Sequence, residues 1–508
     1  MFPVEPSHMD SPLLVLANAR ILTMDPARST AGRLTVRGDF IAALDGTVPE
    51  GALVVDCRGG ILLPGFVDPH VHLLAAAAAA RSVDCSPRAV RSIREIQERI
   101  AATAAGSAGW VRAVGYDESA LKEGRHPTRW DLDAAVPDRP VRLLHRSGHA
   151  AVLNSRALAL AGIDIATEEP PGGVIDRRLD DGEPTGPLMD MDAVIDRVVP
   201  PLPRAELVAG MRAVGDVLLA AGVSAVQDLT HTNDAARIDL LERAWIEAGL
   251  TPRLLPPATR PNVAGDGPVK LMLGEAGGLS RAQTDALAAA VDTAHAAARQ
   301  VAVHAITAEA VGAALDAIDA AARRTPRRDH RHRIEHAAVC PPPLAERAAA
   351  LGVVVVSNPV FLWESGARYL RTVASDDLPH LYAAGDLADT GLTVAAASDT
   401  PVARPDPAIG AHAATTRRAA TGERLPGNGM VPEPALALVT RHAAFAAFAE
   451  RDHGVLAPGR RADLVLLDRL PGGETPPAVW WTILSGRLVF AGESAPHFPT
   501  SAPGPRPG

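Results

Sequence analysis

Cysteine is scarce in this sequence: three residues (Cys57, Cys85 and Cys340) in 508, with no Cys-x-x-Cys pair. A sparse, odd set excludes a disulfide framework and points to a reducing compartment. Aromatic residues make up only 3%. Abundant alanine suggests helices packed through small contacts, although a GC-rich coding bias gives the same composition. Clustered positive charge is also missing. The net charge is -9 and the isoelectric point about 6.0. The basic runs RRTPRRDHRHR (Arg323 to Arg333) and RRADL are short and lie beside acidic residues. That speaks against a nucleic-acid partner, and the first run reads as a solvated helix end and loop. No uncharged apolar stretch reaches the roughly 18–20 residues of a membrane helix, LLAAAAAARSV being short and Ala-rich. The opening MFPVEPSHMDSP lacks the basic-then-apolar layout of a signal peptide. These absences predict a soluble, cytoplasmic protein with no membrane partner.

What is present is a chain with 47% hydrophobic residues, enough for a large core and more than one structural unit. Residues 1–64 read as short strands with turn signals: LLVLANARILTM, GRLTVRGDFIAAL and ALVVDCRGGILL. Residues 451–495 echo them in GVLAPGRRADLVLLD and VWWTILSGRLVFAGE. One small β-domain built from both chain ends is expected. Residues 496–508, rich in Pro, Ser and Gly, read as a disordered tail.

Residues 65–450 alternate strand and helix. Candidate strands are GFVDPHVH (65–72), VSAVQDL (223–229), PRLLPPA (252–258), VKLML (269–273), VAVHAI (301–306), HRIEHA (332–337), GVVVVSNPV (352–360) and TVAAASD (393–399). Eight strands, each followed by helix-compatible sequence, predict a (β/α)8 TIM barrel, with a doubly wound sheet as the rival. Residues 74–204 are too long for one connection. They contain their own helix (RSIREIQERIAATAA), strand (RPVRLLHRSG) and hairpin turning at Asp180-Asp181-Gly182. They read as an insertion after the first barrel strand, at the end where loops face an active site.

The chemistry-bearing residues fall at the ends of these strands. His70 and His72 close the first, and residues i and i+2 of a strand point the same way, so both imidazoles can bind one cation. Lys270 stands on the fourth strand, His304 on the fifth, His336 ends the sixth and Asp399 the eighth. Each has a plainer explanation: a hydrogen-bonded strand-end histidine, a turn-capping aspartate, a structural lysine. Their joint placement on five strands favours a metal site.

PGFVDPHVHL, VAVHAI, HRIEHA and SDTPV stand in the order found in the metal-dependent amidohydrolase superfamily. PDRPVRLLHRSGHAAVLNSRAL, PPGGVIDRRLDDGEPTGPL and HRIEHAAV resemble more narrowly amidohydrolase family 3, the group that includes N-substituted formamide deformylases. GRRADLVLLD and SGRLVFAG fit that group's composite β-sandwich. The resemblance spans nearly the whole chain except the tail. It implies His70, His72, His304, His336 and Asp399 as metal ligands, with Lys270 carboxylated and bridging two ions. An unmodified lysine is a cation and a poor ligand. The group's Asp-Gly and Arg-bearing loop after this lysine is missing here; VKLMLGEAGGLSRAQ runs quickly into a helix. The resemblance also marks His149 as a catalytic residue facing the metal pocket, where it would orient or polarise the substrate carbonyl, with packing of the insertion as its plainer role. Tyr116, Asp117 and Trp363 are weaker substrate-contact candidates, and Asp228 a supporting residue. His145, His330 and His332 read as ordinary polar residues.

The implied reaction is metal-assisted hydrolysis of an amide-type C–N bond, N-formyl or N-acyl, in a small-molecule substrate. One or two divalent cations, zinc first and iron or manganese as alternatives, lower the pKa of a bound water. Asp399 takes the proton and hands it to the leaving nitrogen. A mononuclear deaminase or cyclic amidohydrolase is the alternative, and a non-catalytic barrel scaffold a third reading. A homo-oligomer is left open.

Overall fold

The computed structural model describes residues 13–105, 109–170, 172–274 and 278–499. The opening twelve residues, residues 275–277 of the EAGGLS stretch and residues 500–508 of the expected tail lie outside them. The chain forms two compact units: one runs to Leu73 and resumes at Gly215, the other is Leu74–Val214.

In the first unit, both chain ends build one eight-stranded sheet. Leu13–Asp25, Arg28–Arg37, Phe40–Leu44, Leu53–Asp56 and Ile61–Pro64 come from the N-terminal side, and Leu464–Leu467, Val479–Leu484 and Arg487–Ala491 from the C-terminal side. The ends meet where Ile61–Pro64 pairs antiparallel with Leu464–Leu467, Pro64 opposite Leu464. Alternating apolar positions bury Leu14, Leu16, Leu34, Val36, Leu464, Leu466, Trp481 and Ile483 in one cluster. Burial of each such aliphatic side chain contributes about 1.5–3 kcal/mol.

Gly65 carries the chain from this sheet into the barrel. Its N–H donates to Asp463 O at 2.8 Å. A Cβ there would lie 2.6 Å from Ser224 Cβ on the neighbouring strand, so only glycine fits this crossing.

The barrel strands are Phe66–Val71, Val223–Asp228, Arg253–Leu254, Val269–Met272, Val301–Ala305, Arg333–His336, Val354–Ser357 and Thr393–Ala396. Each lies within a segment read from the sequence. They pair in parallel as a set of three and a set of five. Parallel bridges Thr259–Val269 and Val71–Thr400 join the two sets and close the ring. Helices follow most strands. Arg281–Ala296 starts at Ser280 with a capping box to Gln283, as the Ser-x-x-Gln spacing dictates. Ala308–Arg324 buries Ala310, Val311, Ala314, Leu315, Ala317, Ile318 and Ala321, the stripe of a helix laid on a sheet.

The expectation that every strand is followed by a helix fails between the third and fourth strands. Residues 255–268 are helix-free. Pro256 and Pro257 each bias the residue before them to extended backbone, which carries the chain on past the strand without a helical turn.

The second unit carries a six-stranded sheet in the order Val174–Arg177, Pro184–Met189, Ala150–Leu153, Val141–His145, Val111–Tyr116, Val83–Asp84. The first two strands form the antiparallel hairpin, with Gly182 at φ +74° in its turn. Ile93–Ala105 packs through Ile93, Ile96 and Ile100, and Arg129–Ala135 begins with a Thr128–Asp131 capping box.

Candidate metal centre

His70 is the penultimate residue of the fully buried first barrel strand, and His72 follows directly after its last residue, Val71. The i, i+2 spacing turns both imidazoles the same way. Their Nε2 atoms lie 3.4 Å and 2.9 Å from Asp399 Oδ1. The three ligand atoms fall within 4.8 Å of one another. Asp399 sits three residues beyond the eighth strand in the left-handed region, φ +61°, which aspartate tolerates better than most residues. Its N–H donates to His70 O at 2.9 Å, and His72 N donates to Thr400 O at 2.8 Å. These two backbone bonds lock the first and eighth strand ends together.

Lys270 Nζ is buried 3.5 Å from His70 Nε2. His304 and His336 approach with ring centroids 4.6 Å apart, and His336 lies 5.2 Å from His70. His336 also has a left-handed backbone, φ +70°. This turns it away from the alternation of Arg333 and Glu335, whose side chains lie inside the barrel.

In three of the histidines Nδ1 faces a protein oxygen. His72 Nδ1 meets Thr230 Oγ1 at 3.0 Å. His336 Nδ1 meets Asn358 Oδ1 at 2.8 Å, and Asn358 Nδ2 donates to Ala397 O at 3.0 Å, which fixes the amide orientation. The histidine must therefore donate from Nδ1. His70 Nδ1 lies 2.6 Å from Glu335 Oε2. All three leave Nε2 to the site, the second-sphere pattern of metal-binding histidines.

The protonation states agree with ligation. Burial, then the Lys270 ammonium, pushes His70 down to about 3. Burial also lowers His336, and it lowers His304 far below its ordinary value. Neutral imidazole is the form that binds metals. Burial would raise Asp399, but His70 and His72 outweigh it and hold the carboxylate ionised. Burial lowers Lys270 to about 8 against the pull of Glu335 and Asp399. Two imidazole Nε2 atoms and a buried carboxylate oxygen without a hydrogen bond suit a divalent cation.

The remaining candidates have other engagements. Asp228 accepts from Leu73 N at 2.7 Å and Asn233 Nδ2 at 2.8 Å, and so props the segment after His72. Trp363, on helix Val360–Thr372, stacks edge-on against His412 with centroids 5.3 Å apart. In the second unit, Tyr116 OH meets His126 Nδ1 at 2.9 Å, and Asp117 Oδ1 caps a short turn through Ser119 N. His149 is exposed and paired with Asp190 at 2.9 Å.

Sequence reasoning missed Glu335 and Arg333. Both are fully buried, joined by a bidentate pair at 2.7 and 2.8 Å. The available signal was two charges at i and i+2 on a strand of an apolar barrel. It also missed a role for His145, whose Nε2 lies 2.9 Å from Glu118 Oε2 beside Asp117. Ser147 N–H donates to His145 Nδ1 at 3.2 Å. With Nδ1 accepting, the ring presents Nε2–H to the Glu118 carboxylate.

The chain belongs to the amidohydrolase family, whose profile matches residues 53–490. It is a metal-dependent amidohydrolase, an enzyme acting on carbon–nitrogen bonds. It is 30% identical to the N-substituted formamide deformylase of Arthrobacter pascens over 90% of this chain and 94% of that protein. It is 27% identical to protein LONG AFTER FAR-RED 3 of Arabidopsis thaliana over 89% of this chain and 87% of that one. The solved structure of an uncharacterized metal-dependent hydrolase from Pyrococcus furiosus shares its fold. The TM-score is 0.68 at 23% identity, covering 91% of this chain and all of that one.

Proposed function

We propose that this enzyme hydrolyses the C–N bond of a small N-formyl or N-acyl amine, with His70, His72, Lys270, His304, His336 and Asp399 as the ligand set. The observation that carries the reading is the close approach of Asp399 Oδ1 to two imidazole Nε2 atoms without a hydrogen bond. A shared cation relieves that arrangement. The N-formyl preference draws on the deformylase relative, similar over nearly its whole length.

When bound, a divalent cation, zinc in this reading, supplies a Lewis acid that polarises the carbonyl and acidifies water. Asp399 Oδ1 accepts the proton and returns it to the leaving nitrogen. Lys270 is read as carboxylated. Its lowered pKa of about 8 favours the free amine, the form that attacks carbon dioxide and releases a proton to become a carbamate. Trp363, on the helix after the seventh strand, is assigned as a substrate contact, and the eight-stranded sheet as the family's composite β-sandwich. A cytoplasmic enzyme is proposed from the sparse cysteines, all three of them buried and free.

A mononuclear deaminase or cyclic amidohydrolase is the second reading. It is favoured by the convergence of only His70, His72 and Asp399 on one point among the described residues of the barrel. Purified, metal-analysed protein assayed against N-formyl amines, N-acyl amines and cyclic amides decides. Release of formate or carboxylate with two ions and a carboxylated Lys270 by intact mass is expected. Ammonia release, or ring opening with one ion, moves the assignment to the second reading.

A further inference from the structure

We infer that Glu335, held by Arg333, is the positioning residue that fixes His70 as a ligand and sets how tightly the site keeps its ion. This rests on the metal reading above. Of the three histidines whose Nδ1 is engaged, His72 faces a hydroxyl and His336 an amide oxygen. His70 alone faces a carboxylate, at 2.6 Å. A carboxylate at Nδ1 keeps the proton there, directs the Nε2 lone pair into the site and raises that nitrogen's basicity.

The carboxylate is itself fixed. Arg333 grips both oxygens of Glu335, at 2.7 and 2.8 Å. Its guanidinium also donates to Gln227 Oε1 at 2.7 Å and to Pro69 O at 2.9 Å. Pro69 is the residue directly before His70. One guanidinium therefore holds the backbone that carries the ligand and the acid that orients its ring. Arg333 and Glu335 come from the sixth strand, Gln227 from the second and His70 from the first. The network crosses the barrel interior, where the two buried charges offset one another. The oxygen that meets His70 is shared with Arg333, so it stays anionic without being free to swing.

The test compares wild type, Glu335→Asp, Glu335→Gln, and Glu335→Gln combined with Arg333→Met. Measurements are the melting temperature of the metal-free protein, Zn2+ affinity by chelator competition, and the visible spectrum of the Co2+-loaded form. Glu335→Gln alone leaves Arg333 unpaired and loses folding stability. The double variant removes both charges and regains much of it. It should still bind Zn2+ about 10–100-fold more weakly, with an altered Co2+ spectrum. Glu335→Asp keeps the charge pair but withdraws from His70, and should show the same loss of affinity. Asn358→Ala, which removes a neutral partner, should lose less. If the double and Asp variants bind Zn2+ as wild type does, with unchanged Co2+ spectra, the pair is only structural and the inference is overturned. If wild type itself binds neither ion, the metal reading fails and takes this inference with it.

Discussion

Asp399 Oδ1 stands 2.9 Å from His72 Nε2, anion against imidazole, across the closing seam of the barrel. Both residues are held by the backbone bonds that zip the first strand to the eighth. Replacing Asp399 by Asn keeps the side-chain size and removes the proton acceptor. The hydrolytic rate should fall about 10²–10⁴-fold, with the melting temperature little changed. Steady-state rates alongside metal analysis check this; an undiminished rate with metal retained would remove Asp399 from the proton path.

His295, His330 and His332 form a buried chain on the N-terminal side of the barrel. His295 donates to Thr325 O at 2.6 Å through Nε2, so its Nδ1 accepts from His332 Nε2 at 2.7 Å. His332 Nδ1 accepts from Val301 N at 3.1 Å, and His330 Nδ1 from His332 N at 2.9 Å. Burial, then the neighbouring histidines, pushes His332 down to about 2, and burial lowers His330. Both are neutral when folded and near 6.5 when unfolded. The unfolded state binds more protons below that value, so stability is flat above about pH 6.5 and falls with acid below it. Denaturant midpoints from pH 8 to 4.5 should show this slope, reduced in His332→Gln.

Arg417 is a buried cation whose guanidinium donates to backbone carbonyls: Pro426 O at 2.7 Å, Leu381 O at 3.1 Å and Leu378 O at 3.3 Å. Burial lowers its pKa to about 10. Arg417→Met would leave several buried acceptors unpaired, each costing about 1–3 kcal/mol. Arg417→Lys should rescue little, because an ammonium cannot span the fork. Urea unfolding of both variants measures this; full rescue by Lys would show that charge rather than shape matters.

Gly65→Ala should destabilise by about 1–3 kcal/mol through overpacking, since its Cβ would meet Ser224 Cβ at 2.6 Å. Combining it with Ser224→Gly should recover part of the loss. A double-mutant cycle by thermal unfolding reads the coupling, and strict additivity would contradict the clash.

The sequence made the barrel legible because strand and helix periods differ and the eight apolar runs are well separated. His70 and His72 were visible because period two is local. Glu335 was hidden because its partner His70 lies 265 positions away and its neighbour His336 drew the chemical argument. The left-handed turns at His336 and Asp399, which aim the ligands, leave no mark in residue type. His330 and His332 were read as ordinary polar residues, since nothing in RRDHRHR shows that His295 is folded against them. The helix-free third connection was announced by Pro256-Pro257 but outweighed by the regularity around it.

The pairing of Ile61–Pro64 with Leu464–Leu467 has a consequence for the order of assembly. The strand that leads straight into His70 finds its edge partner about four hundred residues later in synthesis. Closing such a loop is entropically costly and slow. A nascent chain therefore exposes an unpaired apolar edge until nearly all of the barrel has emerged. Only then can the sheet close behind the first ligand strand.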